Sequence, residues 1–158
     1  MSKIIISIGI PGSGKTSFMK PFAKDNNFTY ICLDDIREEL CGDPRSRTKE
    51  LEVLDLSKER TLKSLSEKVN VVFDATFADV EFRHCFLAFL KENNIKEIEG
   101  IYFNTDLDLA KERNRNRDRF VPEAVLDRMH NSLLEYQPSK EEGFSKLFNV
   151  VDGNLIEI

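Results

Sequence analysis

The chain has 158 residues, 41% hydrophobic and 32% charged, with a formal net charge of −5. That is one domain with room for a core of several strands and helices, and its acidic balance excludes a long non-specific grip on duplex nucleic acid, which needs many Lys and Arg contacts to phosphate. Cys32, Cys41 and Cys85 lack C-x-x-C spacing and suit neither a disulfide frame nor a zinc site. The longest apolar runs, 4–10 and 86–90, are too short to span a bilayer, so a cytoplasmic protein is expected, with no membrane contact and no signal peptide.

In chain order, 3–8 reads as a buried first strand and 15–24 as a helix that Pro21 should kink or shorten. A second strand follows at 28–33. Residues 35–40 start a helix, with Asp35-x-x-Glu38 as a carboxylate capping box and Cys41-Gly42-Asp43-Pro44 as its stop. Residues 47–69 form a long helix with Leu51, Leu54, Leu62, Leu65 and Val69 on its apolar stripe. Then come a strand at 70–73, a helix at 80–93, a strand at 98–103, and helices at 106–116 and 122–135, with Pro122 at the first helical position. A strand at 147–151, a turn at Gly153-Asn154 and a last segment at 155–158 close the chain. Alternating strands and helices imply an α/β domain: a parallel sheet flanked by helices in three layers, over 1–158 as one unit. In such sheets ligands sit at the carboxyl ends of the strands, which singles out 9–16, Asp34, Asp74 and Asn104.

Gly9-Ile10-Pro11-Gly12-Ser13-Gly14-Lys15-Thr16 matches G-x-x-x-x-G-K-[ST] between a strand and a helix. Glycine lets successive N–H groups turn inward on a phosphate, Lys15 brings charge to the β- and γ-phosphates, and the Thr16 hydroxyl suits Mg²⁺. A dinucleotide fingerprint fails, since it needs glycine where Ser17 stands. The chain also lacks the D-x-x-G and N-K-x-D motifs of a GTPase. Its strand 71–73 ends in Asp74-Ala75, without the glutamate that a motor ATPase uses to activate water. Transfer to a bound acceptor is the better reading.

An acceptor needs a base or orienting carboxylate; helix capping accounts for Asp35 and leaves Asp34 without a structural task, facing the crevice. Arg37 opposes the helix dipole unless it meets an anion or holds Asp34. The run 111–119 gathers five cations. Arg115 and Arg119 can be solvated surface, whereas Arg117 suits a mobile lid, about 111–135, that brings charge to a transferring phosphoryl group. His84 and His130 have no partner spacing. Phe77, Phe82 and Phe120 lie near the crevice, with a core role ahead of base stacking.

The ordered set of the 6–16 motif, Asp34-Asp35-x-Arg37, Phe73-Asp74-Ala75-Thr76, Glu112-Arg113-Asn114 with Arg117, and Val121-Pro122-x-x-Val125-Leu126-x-x-Met129 resembles the 5′-hydroxyl kinase domain of polynucleotide kinases over nearly the whole chain. The resemblance implies a P-loop kinase fold with a helical lid, and ATP-dependent phosphorylation of the 5′-hydroxyl of RNA or DNA. It places ATP against Gly9, Pro11, Gly12, Ser13, Gly14, Lys15, Thr16, Ser17, Arg113 and Arg117, with Mg²⁺ on Thr16. It makes Lys15, Asp34 and Arg117 catalytic, with Asp34 as general base. Asp34, Arg37, Asp74 and Thr76 line the acceptor, Arg37 on a substrate phosphate and Asp74 orienting Arg37 or a metal-bound water. The tail 142–145 looks like the end of the kinase half of a kinase-phosphatase, while the D-x-D-G-T motif of a phosphatase is missing. The family often has Asn at position 76 or 77, where Thr76 and Phe77 stand here. A small-molecule or tRNA-linked kinase on the same scaffold is the alternative.

Overall fold

A computed structural model describes all 158 residues. Five parallel strands, β1 (Ile4–Ile8), β2 (Thr29–Cys32), β3 (Val71–Asp74), β4 (Ile98–Tyr102) and β5 (Lys146–Val151), and an antiparallel β6 (Asn154–Glu157) lie in the order β2-β3-β1-β4-β5-β6. Central β1 pairs Ile4 with both Val71 and Ile98. The chain leaves β1 toward β2 on one side and reaches β4 on the other, so a crevice opens at the β1 carboxyl end.

Alternation along β1 divides the core. Ile4, Ile6 and Ile8 belong to a cluster of 22 buried residues beneath α2 (Leu33–Cys41), α3 (Glu50–Ser66), α4 (Val80–Glu92) and α6 (Glu123–Glu135). Ile5 belongs to a cluster of six with Met19 and Ala23 of α1 (Lys15–Asp25), extended by Phe18, Phe22 and Phe28. Ser7 lies on that second side, a polar side chain with 0% exposure, and its hydroxyl donates to the Ala75 carbonyl at 2.7 Å. The expected three-layer parallel architecture is present.

Several local expectations change. Helix α1 runs through Pro21 to Asp25. Helix α2 begins at Leu33, with extended Cys32 as its cap and no side-chain cap bond, so Asp35 is not the N-cap. Both aspartates lie in the first turn, where carboxylates meet the positive end of the helix dipole. In α3 the buried stripe is Val53, Ser57, Thr61 and Leu65, and Leu51 is exposed. Ser57 and Thr61 can be buried because their hydroxyls donate to the carbonyls of Leu54 and Ser57. Pro122 is the cap of α6, one residue before its first turn. The last hairpin turns on Asp152-Gly153, both with positive φ as a two-residue primed turn requires, so the turn lies one residue earlier than expected.

Arg83 on α4 is fully buried, and nothing in its spacing marked it. Its Nε donates to Glu142 at 2.7 Å, and its terminal nitrogens donate to the carbonyls of Phe77 and Tyr136, both at 2.9 Å. Phe77 sits at φ 46°, an unusual conformation for an aromatic residue, in a cluster with Phe73, Phe82 and Phe86. The guanidinium therefore ties the segment after β3 to the turn before β5. Glu142→Ala leaves this buried cation without its counter-charge and should lower stability by about 3 kcal/mol in urea unfolding. Glu142→Gln, which keeps an acceptor, should cost less.

Candidate active site

Four structures converge at the carboxyl ends of β1, β2 and β3. The phosphate-type loop curls from Gly9 to Gly14, with Gly12 at φ 83° and Gly14 at φ 93°, backbone that L side chains rarely adopt. A Cβ on Gly12 would also collide with the carbonyl of Ala110 on α5 (Leu107–Arg115), so the base of the lid is packed onto the loop. Thr105 reinforces that contact by donating its hydroxyl to the Ser13 carbonyl at 3.0 Å. Pro11, Gly12 and Ser13 are buried, and the Ser13 hydroxyl is a buried polar atom without a partner. Ser17 lies exposed in the first turn of α1.

Lys15 is nearly buried and folds back to donate to the Ile10 carbonyl at 3.0 Å. Desolvation pulls its ammonium down from 10.5 to about 8; Asp74 and Asp34 oppose that shift and Arg117 adds to it. Arg117 stands exposed on the lid, donates only to the Arg119 carbonyl, and is lowered by desolvation against the pull of Asp34. Lys15, Arg117 and Asp34 thus share one field. Arg113 reaches over the loop, with a terminal nitrogen 3.8 Å from where a Gly14 Cβ would stand.

Asp74 is 3% exposed and accepts only hydroxyl protons: from Ser7 at 3.2 Å, Thr16 at 2.8 Å and Tyr30 at 2.5 Å. It makes no hydrogen bond to Arg37, and its partners Thr16 and Tyr30 lie on the loop side of the crevice. A buried carboxylate without an ion pair, joined to the threonine of the loop, is a hard oxygen donor set that fits Mg²⁺. Thr76 contributes its carbonyl, which accepts from the Gly9 N–H at 2.9 Å and braces the loop from behind.

On the other side, the Asp34 carboxylate is 46% exposed and accepts from Arg37 at 2.6 Å. Arg37 is buried, and its remaining donors form a fork on Glu50 at 2.8 and 3.1 Å. The dipole conflict is resolved by these carboxylates, which hold the guanidinium's charge and leave little of it for a substrate phosphate. Arg37 orients Asp34.

Beside Asp34 opens a groove of about 320 Å³ lined by five arginines, Arg45, Arg47, Arg117, Arg119 and Arg128, and by Phe120. Arg45, Arg47 and Arg128 come from the α2–α3 connection and from α6, and no motif signalled them. Their side chains meet only in three dimensions. Phe120 is exposed in that groove, whereas Phe77 is core. Arg119 also spans from the lid to Glu38 at 3.1 Å and Asp35 at 3.6 Å, giving Asp35 a partner in place of the cap it does not form. No helix is long and apolar enough to cross a membrane.

Residues 4–135 match a family model described as AAA domain. A protein of Acanthamoeba polyphaga mimivirus, described by inference as a bifunctional polynucleotide phosphatase/kinase, is 32% identical over 154 residues; these cover 94% of this chain and 33% of that protein. A chain in a structure of the Pnkp1/Rnl/Hen1 RNA repair complex aligns with a TM-score of 0.74 at 23% identity, covering 99% of this chain and 48% of that one. A gluconokinase from Sinorhizobium meliloti 1021 aligns with a TM-score of 0.59 at 20% identity, over 95% of this chain and 83% of its own. The chain thus spans about a third of the curated relative and about half of the repair-complex chain. The resemblance read from the motifs is met, and the fold is that of the P-loop kinases.

A phosphate chain in the loop would stabilise the charged form of Lys15, so binding above pH 8 should take up a proton. In the free protein the unfolded chain keeps that proton to higher pH. Stability should accordingly rise, through this group, between about pH 8 and 10.5. Calorimetry of ATP binding in two buffers of different ionisation enthalpy should report uptake near pH 8.5, beyond that of Lys15→Arg, and no such difference at about pH 6.5.

Proposed function

The chain belongs to the AAA domain family, and we propose that it is a kinase that transfers the γ-phosphate of ATP to the 5′-hydroxyl of a nucleic-acid end. One observation carries the acceptor assignment: the half-exposed carboxylate of Asp34 opens into a groove with five arginines. A hydroxyl needs one base, but the four arginines other than Arg117 suit an acceptor with phosphates of its own, since their carboxylate pairs are exposed enough to yield to a ligand. In a chain of net charge −5 this concentration is local, as a short strand end requires. The mimivirus relative named for polynucleotide substrates supports the same reading.

The mechanism follows from the two sides of the crevice. The loop amides and Lys15 hold the β- and γ-phosphates, and Arg113 covers them. Arg37 keeps Asp34 aimed. Asp34 takes the proton of the acceptor hydroxyl as its oxygen bonds to the γ-phosphorus, and the bond to the β–γ bridging oxygen breaks to release ADP. Arg117, which shares an electrostatic field with Lys15 and Asp34, offsets negative charge on the phosphoryl oxygens during that transfer. Thr16 and Asp74 would hold Mg²⁺, which when bound neutralises phosphate charge.

Lys15→Ala should reduce turnover at least about a hundredfold, on the order of 3 kcal/mol, in a folded protein. Asp34→Asn should abolish transfer with ATP affinity preserved, and Asp35→Ala should leave chemistry mostly intact. Arg128→Ala should raise KM for a 5′-hydroxyl oligonucleotide about five- to tenfold and flatten its salt dependence, with little change on an unphosphorylated nucleoside. Arg37→Lys, by contrast, should lower kcat on both acceptors, because its defect passes through Asp34. Steady-state kinetics on the two acceptors checks all five, and an equal Arg128→Ala effect on both would overturn the polynucleotide acceptor.

A further inference from the structure

Edge strand β2 reaches both halves of the crevice. Tyr30 sends its hydroxyl to Asp74 Oδ2, and four residues later the same segment presents Asp34 to the acceptor groove. Asp74 Oδ2 is also the atom that accepts from Thr16, so one carboxylate oxygen joins the loop helix to the edge strand. On the other oxygen the Ser7 bond is longer, at 3.2 Å, and Ser7 divides its hydrogen bonding between Asp74 and the backbone of Ala75. Lys15 is the nearby cation, but it is turned to the Ile10 carbonyl. Tyr30 and Thr16 are thus the two donors that fix the orientation of Asp74 Oδ2.

We propose that Tyr30 is a positioning residue for the divalent cation of the nucleotide, acting by holding Asp74 Oδ2 against Thr16 and thereby registering the metal side of the crevice with the strand that carries Asp34. The inference rests on the reading that Thr16 and Asp74 serve Mg²⁺·ATP. Without the phenol hydroxyl, Asp74 retains Thr16 and the weaker Ser7 bond, and its carboxylate can rotate, since Lys15, the nearby cation, bonds the Ile10 carbonyl instead. Metal coordination tolerates little rotation, because Mg²⁺ demands near-octahedral geometry at short distance. Phosphate contacts of the loop amides and Lys15 do not pass through Asp74 and should be spared.

The test is the cation dependence of nucleotide binding, which needs no turnover. A fluorescent ATP analogue is titrated into the full chain with a chelator and again with saturating Mg²⁺, well below the melting temperature of each variant. For the parent, Mg²⁺ should tighten binding. In Tyr30→Phe the affinity with chelator should stay within about twofold, while the tightening by Mg²⁺ should shrink several-fold, as expected for loss of a partner that orients a metal ligand. In an Asp74→Asn background Tyr30→Phe should then add little, since both act through one oxygen. Tyr30→Gln, whose donor sits on a shorter arm that does not span to Asp74, should lose the coupling in the same way and serves if Tyr30→Phe folds poorly. Equal Mg²⁺-dependent tightening in parent and Tyr30 variants would overturn the inference alone. No tightening in the parent would overturn the reading of Thr16 and Asp74, and this inference with it.

Discussion

Burying a carboxylate is costly unless something compensates its charge, and the organisation of this crevice depends on how Asp74 is compensated. The residue is 3% exposed at the end of β3, and its neighbours supply hydroxyls in place of cations. Those hydroxyls arrive from β1, α1 and β2, so three elements must be in register for the charge to be tolerated. The same arrangement places Thr16 at the head of α1 and leaves the carboxylate suited to a cation brought in with a polyphosphate. The loop before it is held from two further directions: the Thr76 carbonyl just after β3, and, ahead of the lid, the Thr105 hydroxyl and the close-packed Ala110 carbonyl. A phosphate cradle braced this way needs little reorganisation when charge develops in it.

Opposite the cradle, charge is arranged by a different rule. Arg37 is spent inside the protein, on Asp34 and Glu50, whereas the groove arginines project from the surface. An inward arginine fixes a base; outward arginines gather an anion. Arg119 mixes the two roles, since its bonds to Asp35 and Glu38 draw the lid onto the helix that carries Asp34. Exposed ion pairs of this type contribute little to stability and can yield to a ligand.

Much of this was legible in the sequence because it rests on local pattern. A complete phosphate-loop motif between strand and helix fixed the position of Lys15 and Thr16, and Asp34 and Arg117 could be found from charges that secondary structure alone did not explain. What was hidden depends on tertiary contact. Asp35 was a plausible cap until the helix proved to start two residues earlier. The α3 stripe was misjudged because Ser57 and Thr61 look polar while their hydroxyls are satisfied within the helix. Arg83 had no visible reason to be buried, since its three partners come from 6, 53 and 59 residues away. Tyr30 read as a strand residue, and the groove arginines are spread from position 45 to 128. Arg37 does hold Asp34, as its charge suggested, but its second partner was hidden, because Glu50 comes from the next helix.

In the function proposed, Asp34 serves an acceptor that brings its own phosphates into an arginine groove. Transfer of labelled γ-phosphate from ATP to a short 5′-hydroxyl oligonucleotide, to a 3′-phosphorylated nucleoside, to the plain nucleoside and to small sugars in one assay tests it most directly. The oligonucleotide should show the highest kcat/KM, removing the acceptor's phosphates should lower it, and Asp34→Asn should transfer to none of them. Equal or better transfer to a sugar or to the plain nucleoside would contradict the proposed function.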